Sequence, residues 1–289
     1  MGTKQVVILS GKEASKSLRE YMSSKIETHK EKYGSPRLVI IQVGEDPASN
    51  IYIKNKIKAC KEVGIKTTYI SYSDDTSEEE LLQTVDFFNK NNSVEGIIVQ
   101  TPLPKHISYN NIIKTIDPKK DVDGFHSDNM GRTCLGLPGI KPATPLGVKL
   151  LLEHYNIDWT GKDICVIGRG QHVGLPISIM LGNDDKGTVT SCHINTENLK
   201  DKVKNADIVV SAVGIPKMIS RDMLKKGSIV IDVGINRDEN GKLCGDVDFE
   251  NVTDHVEAIS PVPGGVGPMT VASLLMNTLW VYMNKFDIE

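Results

Sequence analysis

No stretch of this 289-residue sequence is apolar over the ~20 positions that a membrane-spanning helix needs. Its start, MGTKQVVILSGKEASKS, has none of the extended apolar region of a secretory signal. Val6 stands where an acylation signal at Gly2 would want Ser or Thr. A cytoplasmic protein with no membrane partner is the expectation. The five cysteines, Cys60, Cys134, Cys165, Cys192 and Cys244, form no C-x-x-C pair and no zinc-knuckle spacing. They read as structural thiols in a reducing compartment, and no metal site is assigned. A dominant charge is missing as well: 34 basic residues face 37 acidic ones, and the net charge is -3. Without a basic field to attract a phosphate backbone, a nucleic-acid-binding role is excluded and a small-molecule partner is expected.

What is present is ordinary globular material, 39% hydrophobic and 25% charged, in a chain too long for a single core to be the first choice. Two domains are expected. In the first half, apolar residues at helical spacing from Gly11 to Tyr33 (Leu18, Tyr21, Met22, Ile26) precede the β-rich run RLVIIQV, Arg37 to Val43. The alternation continues through helix PASNIYIKNKIKACKEVG, strand IKTTYISY, helix SEEELLQTVDFFNKN and strand GIIVQ. This predicts an α/β unit with a largely parallel sheet. The acidic run from Ser77 to Glu80 reads as a capped, solvated helix start.

From Pro102 to Pro145 the chain is dense in Pro, Gly and Asp, and an amphipathic helix is expected from Leu146 to Tyr155. The predicted domains are therefore 1–145 and 146–268, with a last helix from Met269 to Asn284 that returns, with the rest of 269–289, to the first. The second half alternates as strand KDICVIG, a helix from Val173, strand GTVTSCHI, helix TENLKDKVK, strand DIVVSAVG, helix RDMLKK and strand SIVIDVGI. That order predicts a Rossmann-like, doubly wound parallel sheet.

Strand KDICVIG runs into the loop GRGQHVG, Gly168 to Gly174, with Pro176 in the first helical turn, where its missing N–H is tolerated. Glycines there let the backbone approach a pyrophosphate, whose charge the helix N-terminus stabilises. The third glycine falls one place later than in G-x-G-x-x-G, so it is the strand–turn–helix setting that makes the motif informative. The loops SAVGIP and DVGIN, with Gly214, Gly234 and Ile235, end the next strands at the same carboxyl edge. In the first half Ser49, Tyr52 and Lys56 stand at i, i+3 and i+7 and share a helix face. A lysine beside a reacting group can move protons, and a tyrosine offers a flat face to an aromatic ligand. On spacing alone an ordinary amphipathic helix with a surface lysine is the favoured reading. Gln100 at a strand end and Asp123 in the turn DVDG occupy positions where α/β sites collect polar groups, and where turn chemistry also places them.

Together the motifs SNIYIKNK with KACKEVGI, IIVQTPLP, KDVDGF, PATPLG, GKDICVIGRGQHVGLP and PGGVGPMT resemble, in order and over nearly the whole chain, the methylenetetrahydrofolate dehydrogenase/methenyltetrahydrofolate cyclohydrolase family. The resemblance implies an oxidoreductase and hydrolase of one-carbon metabolism, serving purine biosynthesis among other routes, and a homodimer formed through its dinucleotide domain. It implies oxidation of 5,10-methylene-tetrahydrofolate and hydrolysis of the methenyl product to 10-formyl-tetrahydrofolate, with a monofunctional member as the alternative. It makes Lys56, Gln100 and Asp123 catalytic. Tyr52 then stacks on the folate rings, Ser49 joins it in the substrate site, and Gly264 and Gly265 bring backbone to the ligand. The cofactor would meet Gly168, Arg169, Gly170, Gly174, Asn195, Gly214, Gly234 and Ile235.

Two rivals fall away. Tyr52 and Lys56 spell the Y-x-x-x-K dyad of short-chain dehydrogenases, but there the glycine loop precedes the dyad, and here it follows. A non-catalytic nucleotide sensor would not need the Lys56 face, Gln100 and Asp123. Departures from the family pattern are Thr101 for Leu or Met, Ala143 for a common Cys, Gly170 for the Ser of G-R-S, and HINT (193–196) for H-S-R-T or H-S-K-T. The last two bear on the cofactor. The strand GTVTSCHI ends without the acid that selects NAD, and Arg169 offers a fork to a 2′-phosphate, which favours NADP. Ile194, Asn195 and Gly170 remove other phosphate contacts, leaving NAD as the alternative, with His193 adding charge to the site when protonated.

Overall fold

The computed structural model describes residues 5–183 and 186–288; Gly2, weighed above for acylation, lies outside them. The chain forms two compact units. One comprises the described residues up to Ser15, with Thr133–Leu137 and Thr144–Thr270; the other comprises Lys16–Arg132, Pro138–Ala143 and the chain from Val271 on. The elements in order are β1 (Val7–Ile8), α1 (Gly11–Tyr33), β2 (Arg37–Val43), α2 (Pro47–Val63), β3 (Lys66–Tyr72), α3 (Glu78–Asn89), β4 (Gly96–Val99), α4 (Tyr109–Thr115), α5 (Ser127–Cys134) and α6 (Ala143–His154). There follow β5 (Asp163–Ile167), α7 (Gly174–Gly182), β6 (Thr188–Cys192), α8 (Leu199–Lys204), β7 (Ile208–Ser211), β8 (Ile229–Asp232), β9 (Asn236–Arg237), β10 (Leu243–Cys244), α9 (Phe249–Val252), β11 (Ala258–Ile259) and α10 (Val266–Lys285).

The unit that holds Lys56 is built on a three-stranded parallel sheet in the order β3-β2-β4. β2 is buried on both faces, as the middle strand of a parallel sheet must be. Leu38 and Ile40 face a cluster with Met22, Ile26, Ile53 and Cys60, while Val39, Ile41 and Val43 face Leu81, Val85 and Ile112. The C-terminal part of α10 closes the first cluster with Leu274, Leu275, Leu279 and Tyr282. Lys285 in its last turn pairs with the buried Glu95 at 2.7 Å. This helix has the length and composition to cross a membrane, contrary to the sequence reading, yet over half of its apolar window is buried in protein. Its apolar character is that of a core helix.

Helix starts are set by local chemistry. Asp46 caps α2, its carboxylate accepting the Ser49 N–H at 2.7 Å, with Pro47 in the first turn. Those bonds to Ser49 lower the pKa of Asp46. Ser77 caps α3 ahead of Glu78, Glu79 and Glu80, so the acidic run is a helix start.

The other unit is built on a six-stranded sheet in the order β1-β11-β8-β7-β5-β6, every pairing within it parallel, and carries β9 and β10 as a separate antiparallel pair. The order reverses direction at β5, whose neighbours are β6 on one side and β7 on the other. A switch point of this kind opens a crevice at the carboxyl ends of the strands.

Several expectations need correction. β1 pairs with β11, so the first residues belong to the six-stranded unit and not to a 1–145 domain. A two-residue strand has too little alternation to be read from sequence. RDMLKK is not an α-helix: a single 3-10 turn covers Arg221–Met223 and ends as Leu224 goes extended. α6 begins at Ala143 and α10 at Val266, each three residues ahead of its expected start. Pro145 and Pro268 led the reading astray, because proline is tolerated in a first helical turn.

Candidate active site

In the three-stranded unit, α2 and the end of β4 are tied together by one amide. The Lys56 ammonium donates to Gln100 Oε1 at 3.0 Å, and Gln100 Nε2 donates to the Thr101 carbonyl at 2.8 Å. The second bond fixes which end of the amide faces the lysine, so Gln100 offers Lys56 an acceptor. The Ser49 hydroxyl donates to that same Thr101 carbonyl at 3.2 Å. Ser49 is 3% exposed, so its hydroxyl holds the frame, although the sequence reading gave it to the substrate. Tyr52 is 40% exposed, its ring free to take a flat ligand. Lys56 is half-buried. One turn on, burial pushes the Cys60 thiol up to about 12 despite the pull of the nearby Lys56 charge, and this removes it as a nucleophile.

The height of α2 over the sheet is set from below. Gln42, buried in β2, donates to Asn50 Oδ1 at 2.9 Å and accepts the Tyr69 hydroxyl at 2.7 Å. Asp123 stands two residues past a parallel bridge between Ile97 and Asp121, in the turn that the Gly124 N–H closes on the Asp121 carbonyl at 3.0 Å. The Asp123 carbonyl accepts the N–H of Ala143, the residue that replaces the family's common cysteine, at 3.1 Å.

Asp121, which sequence reasoning passed over, is buried and accepts N–H groups from Gly124 at 3.1 Å, His126 at 2.7 Å and the Asn129 side chain at 3.0 Å. Burial outweighs these donors and pushes its pKa up to about 7. Burial, followed by the charges of Asp123 and Asp121, likewise raises the Tyr109 phenol. Nothing in the spacing of D-x-D-G marks which of its two acids is internal.

In the six-stranded unit the glycine loop joins β5 to α7 by a turn that excludes side chains. A Cβ on Gly174 would lie 1.7 Å from the Gly168 carbonyl oxygen, and one on Gly168, at φ +101°, 2.2 Å from that of Ala212. The Val173 and Leu175 N–H groups close on the Gly170 carbonyl at 3.2 and 3.1 Å. The turn leads straight into the N-terminus of α7, the setting in which a helix end can face an anion. Arg169 and Gly170 are exposed, and no atom lies within 4 Å of where a Gly170 Cβ would be. Gly214 and Gly234 follow β7 and β8, the next strands of the sheet, and Ile235 is half exposed.

Past β6, Ile194 is 92% exposed and Asn195 exposed. The Asn195 N–H donates to His193 Nδ1 at 3.1 Å. Gly264 and Gly265 lie in this unit, where the Gly264 carbonyl accepts the Lys12 N–H at 3.2 Å. Among the described residues, no group of His, Cys, Asp and Glu has a geometry that could hold a metal.

The family model for the tetrahydrofolate dehydrogenase/cyclohydrolase catalytic domain matches residues 9–123, and that for the NAD(P)-binding domain of the same family matches 142–286. The chain belongs to the tetrahydrofolate dehydrogenase/cyclohydrolase family. It is 50% identical over 282 residues to the bifunctional protein FolD of Aquifex aeolicus, covering 97% of this chain and 96% of that one. Among solved structures it is similar to the FolD methylenetetrahydrofolate dehydrogenase/cyclohydrolase of Campylobacter jejuni, with TM-score 0.95 and 45% identity over 97% of this chain and 99% of the other. It is also similar to the Trypanosoma brucei FolD enzyme complexed with NADP cofactor and inhibitor, with TM-score 0.92 and 33% identity over 98% and 99% of the two chains. The family's two matched domains correspond to the two sets of residues above: the lysine frame falls in the catalytic match, the glycine loops in the NAD(P)-binding match.

Proposed function

We propose that this chain oxidises 5,10-methylene-tetrahydrofolate with NADP and then hydrolyses the methenyl product to 10-formyl-tetrahydrofolate. The observation that carries the reading is the Lys56–Gln100–Thr101 frame, found inside the match to the family's catalytic domain. The glycine loop from Gly168 to Gly174 would hold a dinucleotide, which would supply the acceptor for the hydride that leaves the methylene carbon. Lys56, Gln100 and Asp123 are then the catalytic residues. Water adds to the methenyl carbon, one of its protons passing through Lys56 to N5 as the bond from that carbon to N5 breaks, and the other is released to solvent as the formyl C=O forms. Gln100 holds the amine in place, Asp123 binds the pterin edge, Tyr52 stacks on the ring, and Gly264 and Gly265 approach the ligand through backbone.

The domain assignment that goes with this reading is residues 16–132 with the C-terminal part of α10 for folate, and 144–270 for the dinucleotide. The cofactor side uses Gly168, Arg169, Gly170, Gly174, Asn195, Gly214, Gly234 and Ile235. NADP is supported by Arg169 and by the lack of an acid at the end of β6. The protein works as a cytoplasmic homodimer, a reading checked by light scattering at micromolar concentration and by cell fractionation. The deciding experiment follows turnover of methylene-tetrahydrofolate with NADP and with NAD. Methenyl absorbance that rises and then decays supports both steps; no rise, or a rise without enzyme-dependent decay, overturns the bifunctional reading.

A further inference from the structure

Two buried carboxylates that the reactions do not consume sit beneath the loops after β7 and β8. Asp246 is fully buried, yet both its oxygens are used. Oδ2 accepts the Ser211 hydroxyl at 3.0 Å and the Val213 N–H at 2.8 Å; Oδ1 accepts the Ile215 N–H at 3.1 Å and the Asn236 side-chain amide at 2.8 Å. Gly214 lies between the two clamped amides at φ +71°. Asp232, at the end of β8, accepts N–H groups from Gly234 at 3.0 Å, Asp246 at 3.0 Å and Val247 at 2.9 Å.

The two glycines beside these acids are reciprocal. A Cβ on Gly234 would lie 2.1 Å from Asp246 Oδ1, and one on Gly245 1.9 Å from Asp232 Oδ2. In each pair the glycine stands within two residues of the other acid, in Asp232-Val233-Gly234 and Gly245-Asp246-Val247. Alternate N–H groups wrapped on a carboxylate form a nest, a concavity that ordinarily binds an external anion. Here the protein's own carboxyl group fills it, and both loops are bonded to its two oxygens.

We propose that Asp246 is a positioning residue for the dinucleotide, its carboxylate fixing the loops that carry Gly214 and Gly234. The inference rests on the functional reading above. The carboxylate has no part in the hydrolysis, which needs no dinucleotide, so the two activities of one protein separate positioning from general damage. Asp246→Asn turns one acceptor oxygen into an NH₂ group, which then opposes either the Val213 or the Ile215 N–H.

The experiment measures both activities of the purified full chain. Asp246→Asn is expected to raise the KM for NADP tenfold or more, to change dehydrogenase kcat at saturating NADP less than threefold, and to leave cyclohydrolase kcat/KM within twofold. Asn236→Ala, which removes a single donor from a half-buried position, is expected to raise the KM for NADP about threefold, and it carries the test where Asp246→Asn does not fold. An unchanged NADP KM in a folded variant, or an equal loss of both activities, overturns the proposal. A wild type without NADP-dependent turnover instead sinks the functional reading, and this inference with it.

Discussion

Lys56 and Gln100 meet at 3.0 Å with the amide oxygen toward the ammonium, because the amide nitrogen is held at 2.8 Å by the Thr101 carbonyl. The lysine therefore faces an acceptor whose orientation is fixed before any ligand arrives. Lys56→Met keeps the length of the side chain and removes the amine. It is expected to abolish cyclohydrolase activity, at least a hundredfold down, while circular dichroism and dinucleotide affinity stay as in wild type. A folded Lys56→Met protein with near-normal hydrolysis would contradict the assignment.

Ser49 and Gln100 share the Thr101 carbonyl, so the serine hydroxyl acts on the lysine at second hand. Ser49→Ala is expected to cost about 1 kcal/mol of stability, the usual net value of one hydrogen bond, since the carbonyl keeps its second donor. Cyclohydrolase kcat should fall several-fold with little change in the KM for folate. Urea denaturation and steady-state kinetics check the two parts; a rise in folate KM with kcat intact would instead make Ser49 a direct substrate contact.

Burial pushes Asp121 up to about 7 and Asp232 up to about 6, both from 3.8. A raised folded-state value means that the folded protein binds the proton more tightly than the unfolded chain. The stabilisation is complete below pH ~4 and is lost as pH rises through the folded-state values. For Asp121 the loss between pH 4 and 8 is on the order of 4 kcal/mol. Asp121→Asn should thus show a flatter dependence of unfolding free energy on pH than wild type. Parallel wild-type and variant curves from urea titrations at pH 5, 6, 7 and 8 would rule this out.

The glycine loop makes a steric prediction that separates two of its glycines. Gly174→Ala places a methyl 1.7 Å from the Gly168 oxygen and should abolish dinucleotide binding, whereas Gly170→Ser enters open space and should fold normally. By restoring a hydroxyl beside Arg169, Gly170→Ser is expected to raise the NADP/NAD ratio of kcat/KM several-fold. Arg169→Ala is expected to lower that ratio about tenfold, as loss of a charged phosphate contact implies. A ratio unmoved by both changes would show that the 2′-phosphate is not read at these residues.

The sequence alone determined the α/β alternation, the two sheets and the Gly168–Gly174 turn, because these rest on local period and on residues with few backbone options. It also put Ser49, Tyr52 and Lys56 on one helix face, a matter of helical spacing. Only tertiary structure decided which of the three turns inward: Ser49 is buried by the Thr101 carbonyl, a partner 52 residues away that no spacing reveals. β1 and β11, two residues each, exist because each finds a parallel neighbour, and a strand that short has no pattern of its own. Asp121 and Asp123 stand two apart in one turn, and Asp232 and Asp246 look like loop acids. What separates an internal carboxylate from an exposed one is the set of N–H groups the fold gathers on it, from Gly124, His126 and Asn129 at Asp121 and from Asp246 and Val247 across to Asp232, and burial of such a group is tolerated only when those donors arrive together.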